Sequence, residues 1–83
     1  MPEKSEIQES IITRIQYEMG EPTVLPHTHL KEDLQMDSLE RVELVMGIEK
    51  QFDITITDQE LADFASVQDI IDVVYTRVKD REE

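Results

Sequence analysis

Ser38 is the residue of this chain best placed to do chemistry, because it stands at the predicted start of a helix directly after an acid, Asp37. Asp37 is a good N-cap residue, since its carboxylate accepts hydrogen bonds from the free N–H groups of the first turn. Glu40 follows three residues later, as in a capping box. The start of a helix carries partial positive charge and free N–H donors, so a phosphate group on this serine would be stabilised there.

Ser38 lacks the partners of a catalytic nucleophile. A nucleophilic serine requires a nearby base that is oriented by a third group, and the only two histidines, His27 and His29, lie in a predicted loop. We therefore expect no catalytic residue and interpret Ser38 as an attachment point used by another enzyme. The histidines do not predict a metal site, because two ligands without a third and fourth make a poor one.

Charge and composition narrow the classes of partner. The chain has 83 residues, with eight basic and twenty acidic residues, a net charge of −12 and no cysteine. Such acidity argues against nucleic acid and anionic membranes, and favours partners with Lys/Arg patches. No apolar run approaches the ~20 residues of a membrane span, and no signal peptide is visible. We expect one domain over residues 1–83, with frayed ends at about 1–4 and 80–83, in the cytoplasm.

Hydrophobic periodicity predicts an all-α fold, a small bundle of three main helices plus one short helix, with a long first loop. The first helix is expected to be capped by Ser5 with Gln8 and to end at about Met19, where Gly20 stops it. The loop that follows, to Met36, contains four apolar residues, and we expect some of them to pin it to the core: Val24, Leu25, Leu30 and Leu34.

The second half of the chain contains the other three predicted helices. The central helix should run from about Ser38 to Gln51. Residues 52–57 alternate like a strand, but a single short strand would have no partner, so we interpret them as an extended connector. Thr57 or Asp58 should cap a short helix that ends at about Asp63. Ser66, with Asp69, should cap a last helix whose inward residues are Val67, Ile70, Ile71, Val74 and Val78.

The residues around Ser38 carry a family resemblance. Asp37-Ser38-Leu39 continues into Val42-Glu43-Leu44-Val45-Met46, Glu49 and Phe52-Asp53, with looser matches at Asp58, Val67-Gln68 and Ile71-Asp72. In these residues the chain resembles the acyl carrier protein family, over about residues 30 to 75. Gln35 departs from the family, which usually has glycine there. Gly47 stands where alanine or a larger residue is commoner, and should cost the helix about 0.5–1 kcal/mol relative to alanine.

The resemblance implies a non-enzymatic carrier. Ser38 would bear a covalent 4′-phosphopantetheine arm within a motif completed by Asp37 and Leu39, and a phosphopantetheinyl transferase would load it. The arm's thiol would supply the thioester that a cysteine-free chain lacks. The expected partners are separate fatty acid synthase enzymes and acyltransferases with basic patches, and the carrier is expected to be a monomer. Two alternatives stay open: a polyketide or specialised lipid pathway, and an unmodified acidic helical interaction module.

Two sets of residues follow from the same resemblance. Eight acidic and two basic residues lie between positions 37 and 63, which favours a recognition surface around the serine. The partner-binding residues are predicted to be Glu40, Val42, Glu43, Met46 and Glu49. The residues that would line an acyl pocket inside the core are predicted to be Leu44, Ile48, Phe52, Ile56, Leu61, Phe64 and Ile71.

Overall fold

The computed structural model describes residues 3–81, which form four α-helices. They are α1 (Lys4–Met19), α2 (Ser38–Phe52), α3 (Asp58–Asp63) and α4 (Val67–Arg81). Within this range there is no β-strand, only an isolated bridge between His29 and Ser66. The prediction of three main helices, one short helix and a long first loop is confirmed.

The core is aliphatic and is built from one face of each long helix. Helix α1 packs against α4 and α2, whereas the short helix α3 packs against α2. All five residues predicted to face inward on α4 are buried. The residues of α1 and α2 that are buried with them are Ile7, Ile11, Ile15, Leu44, Val45 and Ile48. None of the described helices is long and apolar enough to cross a membrane.

Helix α1 starts earlier than the sequence predicts. Its N-cap is Glu3 rather than Ser5, and the capping box pairs Glu3 with Glu6. An ion pair favours this earlier start, because the Nζ of Lys4 lies 2.9 Å from a carboxylate oxygen of Asp72 on α4. The predicted cap at Ser5 was therefore wrong. Of the predicted frayed N-terminus, residues 1–2 lie outside the described range.

Helix α4 extends further than predicted. Its last described residue, Arg81, falls in the expected polar tail, whose residues 82–83 lie outside the described range. The Nη1 of Arg81 donates to the carbonyl oxygens of Phe52 (2.8 Å) and Asp53 (2.6 Å) at the end of α2. Because a guanidinium compensates carbonyls that lack helical partners, this contact stabilises the ends of both helices.

The first loop is fixed by buried side chains and by backbone hydrogen bonds. Three of the four predicted apolar residues, Val24, Leu30 and Leu34, are buried, whereas Leu25 is exposed. The N–H of Leu30 donates to the carbonyl of Ala65 (2.9 Å). Further bonds join residues 26 and 28 to residues 67 and 68. The loop is therefore attached to the start of α4.

The connector between α2 and α3 is extended and unpaired, as predicted. It begins at Asp53, whose left-handed backbone (φ 55°) ends α2. Ile56 is buried, and its N–H donates to Oε2 of Glu49 (2.8 Å). This hydrogen bond gives Glu49 a structural role that its sequence position does not reveal.

Gly47 tests the packing of α1 on α2. A Cβ at this position would lie 2.5 Å from Nη1 of Arg14. The helix propensity that alanine would gain over glycine is therefore offset by the cost of displacing the Arg14 guanidinium. Arg14 donates to Oε1 of Gln51 (2.9 Å) and lies 3.6 Å from Glu18. We expect Gly47→Ala to leave stability nearly unchanged in the wild-type chain, but to stabilise an Arg14→Ala background by about 0.5–1 kcal/mol.

Urea unfolding of the two single variants and the double variant measures this coupling. Gly47→Ala should gain stability only when Arg14 has been truncated. A loss of stability in both backgrounds would mean that a contact other than Arg14 excludes the methyl group.

Candidate modification site at the start of helix α2

Ser38 is the first residue of α2, and a complete capping box precedes it. Oδ1 of Asp37 accepts from the N–H of Glu40 (2.8 Å), while Oε1 of Glu40 accepts from the N–H of Asp37 (3.0 Å). The capping box predicted from the sequence is confirmed. Because Asp37 and Glu40 cap the helix, the hydroxyl of Ser38 is not needed for that purpose, and Ser38 is exposed.

The chain approaches Ser38 through a fixed turn. Gln35 adopts the left-handed conformation (φ 54°) that glycine adopts without steric cost. Its N–H donates to the carbonyl of Lys31 (3.1 Å). Met36 is buried and donates to the carbonyl of Leu30 (3.0 Å). Gln35 therefore adopts this backbone conformation at a cost of about 1 kcal/mol that a glycine would avoid.

Apolar side chains beside Ser38 point into solvent. Leu39 is 64% exposed, Val42 is 38% exposed and Met46 is 50% exposed. Their exposure agrees with an interaction surface, since large apolar side chains leave water when a partner covers them. Val42 and Met46 are separated by four residues, so they lie on one face of α2.

The three acids predicted to bind partners differ in their environment. Glu43 is exposed. Glu40 belongs to the capping box, and Glu49 accepts the hydrogen bond from Ile56. Glu43 is therefore the acid of this group whose replacement tests recognition with the least effect on the fold.

A cleft of about 190 Å³ lies between α2 and α3 beside the serine. Its lining includes Ser38 and residues of both helices: Arg41, Val42, Asp58, Leu61 and Ala62. Arg41 and Ala62 are not among the site residues predicted from the sequence. Arg41 follows Ser38 by three residues, and this spacing was the one available signal, since residues i and i+3 of a helix are neighbours.

The residues predicted to line an acyl pocket lie in or against the core. Leu44, Ile48, Ile56, Phe64 and Ile71 are buried. Phe52 and Leu61 are partly buried and pack against them. Leu61 belongs both to this group and to the cleft lining, so it connects the cleft beside Ser38 with the core.

Neither histidine lines the cleft beside Ser38. His27 is exposed, whereas Nδ1 of the partly buried His29 accepts from the N–H of Glu32 (3.4 Å). Among residues 3–81 no group of three or more histidine, cysteine or acidic side chains is arranged to hold a metal ion.

Hydrogen bonds stabilise the charged forms of two carboxylates, Glu60 on α3 and Asp72 on α4. The backbone N–H of Thr57, followed by the Arg77 guanidinium, holds the pKa of Glu60 below its usual value. Arg77 binds both carboxylate oxygens of Glu60, at 2.8 and 2.7 Å. A hydrogen bond from Lys4, followed by one from Gln68, lowers the pKa of Asp72.

The lowered pKa of Glu60 predicts a pH dependence. A depressed folded pKa contributes stability that is present above the unfolded value of about 4.3 and is lost as pH falls through the folded pKa. We expect Glu60→Gln to cost about 0.5–1 kcal/mol near pH 7, and the difference from wild type to shrink as the solution is acidified below the unfolded value. Urea unfolding between neutral and acidic pH measures it. Asp63→Asn, with the same charge change in α3, should show less of this dependence; equal profiles would rule out the ion pair as the cause.

The chain shares its sequence pattern and fold with known proteins. The "Phosphopantetheine attachment site" family profile matches residues 9–74. An acyl carrier protein of Thermosynechococcus vestitus is 36% identical over 77 residues, covering 90% of this chain and 95% of that protein. An acyl carrier protein of Onion yellows phytoplasma is 46% identical over 56 residues, covering 68% of this chain and 74% of that protein. The crystal structure of an acyl carrier protein from Thermotoga maritima superposes with a TM-score of 0.80 at 28% identity, covering 94% of this chain and 93% of that one.

Proposed function

Because this chain belongs to the acyl carrier protein family, we propose that Ser38 bears its phosphopantetheine arm and that the arm carries the growing acyl chains of fatty acid biosynthesis. The chain is a carrier and not an enzyme. We propose that residues 1–83 form a single acyl carrier domain that acts as a monomer in the cytoplasm.

The observation that carries the proposal is an exposed serine hydroxyl at the first position of α2 that the helix does not use as its own cap. Asp37 and Glu40 form that cap through each other's backbone N–H groups. The remaining first-turn N–H groups and the helix dipole favour a phosphodiester at this position. The residues present therefore fit a phosphopantetheine attached through Ser38.

When bound, the arm supplies a terminal thiol that holds an acyl group as a thioester. The chain itself contributes no cysteine, and neither histidine is among the residues that line the cleft beside Ser38. Its own residues hold the serine at a fixed and accessible position. Asp37 and Leu39 complete the motif that a phosphopantetheinyl transferase would read.

The surface beside Ser38 suits enzymes with basic patches around an apolar contact. Val42 and Met46 supply exposed apolar contacts, and Met adapts to surfaces of different shape. Glu43 supplies an exposed negative charge. The net charge of −12 would speed the encounter with a basic partner. We assign the transferase, the fatty acid synthase enzymes and acyltransferases to this surface.

The acyl chain would enter between α2 and α3. The cleft beside Ser38 contains the side chain of Leu61, which also packs against the core. Behind it lie buried residues of α2 and of the segment that follows α3, including Leu44, Ile48 and Phe64. Burial of an acyl chain here would remove its methylene groups from water, at about 0.8 kcal/mol per group.

Mass spectrometry of the protein purified from its native cell tests the function. We expect one phosphopantetheine on the peptide that contains Ser38, and thioesters of saturated, 3-hydroxy and unsaturated acyl chains that differ by two carbons. Acyl groups of another type would assign the carrier to a different lipid pathway. A protein that remains unmodified in the cell would instead be an acidic interaction module.

A further inference from the structure

Helix α3 is weakly anchored by its own residues. It has six residues, none of them buried, and it packs against α2. Its last turn contains no basic residue, and its C-cap, Phe64, has an extended backbone. The last carbonyl groups of a helix lack full intrahelical partners. In α3 the carbonyl of Leu61 accepts only a long hydrogen bond from the N–H of Phe64 (3.4 Å), so a donor from another part of the chain strengthens this end.

Arg41 supplies such a donor from α2. Its Nη2 donates to the carbonyl oxygen of Leu61 (2.9 Å) and to that of Phe64 (2.5 Å). The guanidinium is partly buried, which strengthens charge-assisted hydrogen bonds relative to those in water. Arg77 holds the other end of α3 through Glu60. The short helix is therefore fastened by an arginine at each end, one from α2 and one from α4.

The position of Arg41 links this fastening to the modified serine. Arg41 lies one turn after Ser38 and lines the same cleft, with Leu61 and Ala62 on the opposite wall. An acyl chain that passes from Ser38 into the core must move between these walls. Separation of α3 from α2 breaks the hydrogen bonds of Arg41.

We propose that Arg41 is a specificity-determining residue that sets the shortest acyl chain sheltered inside the bundle, an inference that rests on the proposed function. The hydrogen bonds of Arg41 add a free-energy cost to the separation of α3 from α2, and this cost is the same for acyl chains of every length. Each buried methylene favours the sheltered state by about fourfold. A fixed cost offset by a gain per methylene produces a threshold of chain length.

The size of the threshold shift follows from the same comparison. Hydrogen bonds to a charged group stabilise a fold by about tenfold or more in its equilibrium constant. Because each methylene contributes about fourfold, loss of the Arg41 bonds should be equivalent to about two methylenes. A protein variant that lacks these hydrogen bonds should therefore shelter acyl groups about two carbons shorter than those that the wild type shelters.

The first experiment uses the unmodified protein and does not depend on loading. Amide hydrogen exchange is compared between wild type, Arg41→Met and the matched control Lys50→Met, which removes the same charge from an exposed position of α2. We expect exchange in α3 to accelerate about tenfold in Arg41→Met only. Equal exchange in Arg41→Met and Lys50→Met would overturn the fastening role. If Arg41→Met loses its helical circular dichroism, amide exchange in α3 is compared between wild type and Arg41→Lys, which keeps the charge.

The second experiment uses the proteins loaded with acyl-phosphopantetheine of four to twelve carbons. Hydroxylamine cleavage of the thioester reports exposure of the acyl group. We expect protection in Arg41→Met to begin at a chain about two carbons shorter than in wild type, and Lys50→Met to match the wild type. An unshifted threshold would overturn the specificity role. Failure to load any of the proteins would instead count against the proposed function, while the exchange data still decide whether Arg41 fastens α3.

Discussion

Ser38→Ala is expected to abolish loading by a phosphopantetheinyl transferase while leaving the helical fold intact. The alanine removes the hydroxyl that would form the phosphodiester, so the effect on modification should be complete. The fold should persist because Ser38 is exposed and because Asp37 and Glu40 cap α2 without it. Alanine is also a good helix former.

The measurement combines intact mass after incubation with coenzyme A and transferase with circular dichroism. Ser5→Ala is the matched control, since Ser5 is an exposed serine in the first turn of α1. The control should gain one phosphopantetheine and the Ser38 variant none. A loaded Ser38→Ala protein would place the arm on another residue, and an unfolded one would mean that Ser38 contributes to the fold.

Salt is expected to act on folding and on partner binding in opposite directions. The acidic side chains, which give the protein its net charge of −12, repel one another more strongly in the compact state than in the unfolded state. Screening at 0.1 M salt shortens the reach of this repulsion to about 10 Å. We expect moderate salt to raise the melting temperature by roughly 5–10 °C, which in a domain of this size corresponds to about 1–2 kcal/mol. Over the same range, affinity for a basic partner should fall by about tenfold.

Two charge reversals separate recognition from stability. Glu43→Lys should weaken binding to the transferase and leave the low-salt melting temperature unchanged or higher, because Glu43 is exposed. Glu49→Lys should lower the melting temperature, because it removes the acceptor of the Ile56 N–H. Thermal melts and binding affinities across one salt series measure both effects. If Glu43→Lys binds the transferase with unchanged affinity, the acidic face of α2 is only a solvated surface and does not recognise partners.

The sequence predicts well those features that depend on neighbouring residues. The capping box of α2, a cap at Thr57 for α3 and the burial of every fourth residue in α1 follow from local spacing. The start of α1 differs from the prediction because two possible capping boxes compete there, and a contact with α4 through Lys4 favours the earlier one.

Long-range contacts account for what the sequence could not predict. Arg41 binds carbonyls that lie 20 and 23 residues away. Glu49 accepts from an N–H seven residues later. Both side chains look like solvated charges when only their neighbours in sequence are considered. Their roles depend on how the helices are packed, which a local pattern does not specify.

The attachment of the first loop to the start of α4 bears on when the protein can be modified during its synthesis. The turn that leads to Ser38 is anchored through Leu30, whose N–H donates to Ala65, and residues 26 and 28 accept from residues 68 and 67. On the ribosome, Ser38 is synthesised before these partners, and domains fold as units once their segments are available. A nascent chain that ends before residue 68 therefore contains Ser38 but lacks some of the hydrogen bonds that attach the first loop, which leads to Ser38, to the start of α4. We expect the site to become competent for loading only after the start of α4 has left the ribosomal tunnel.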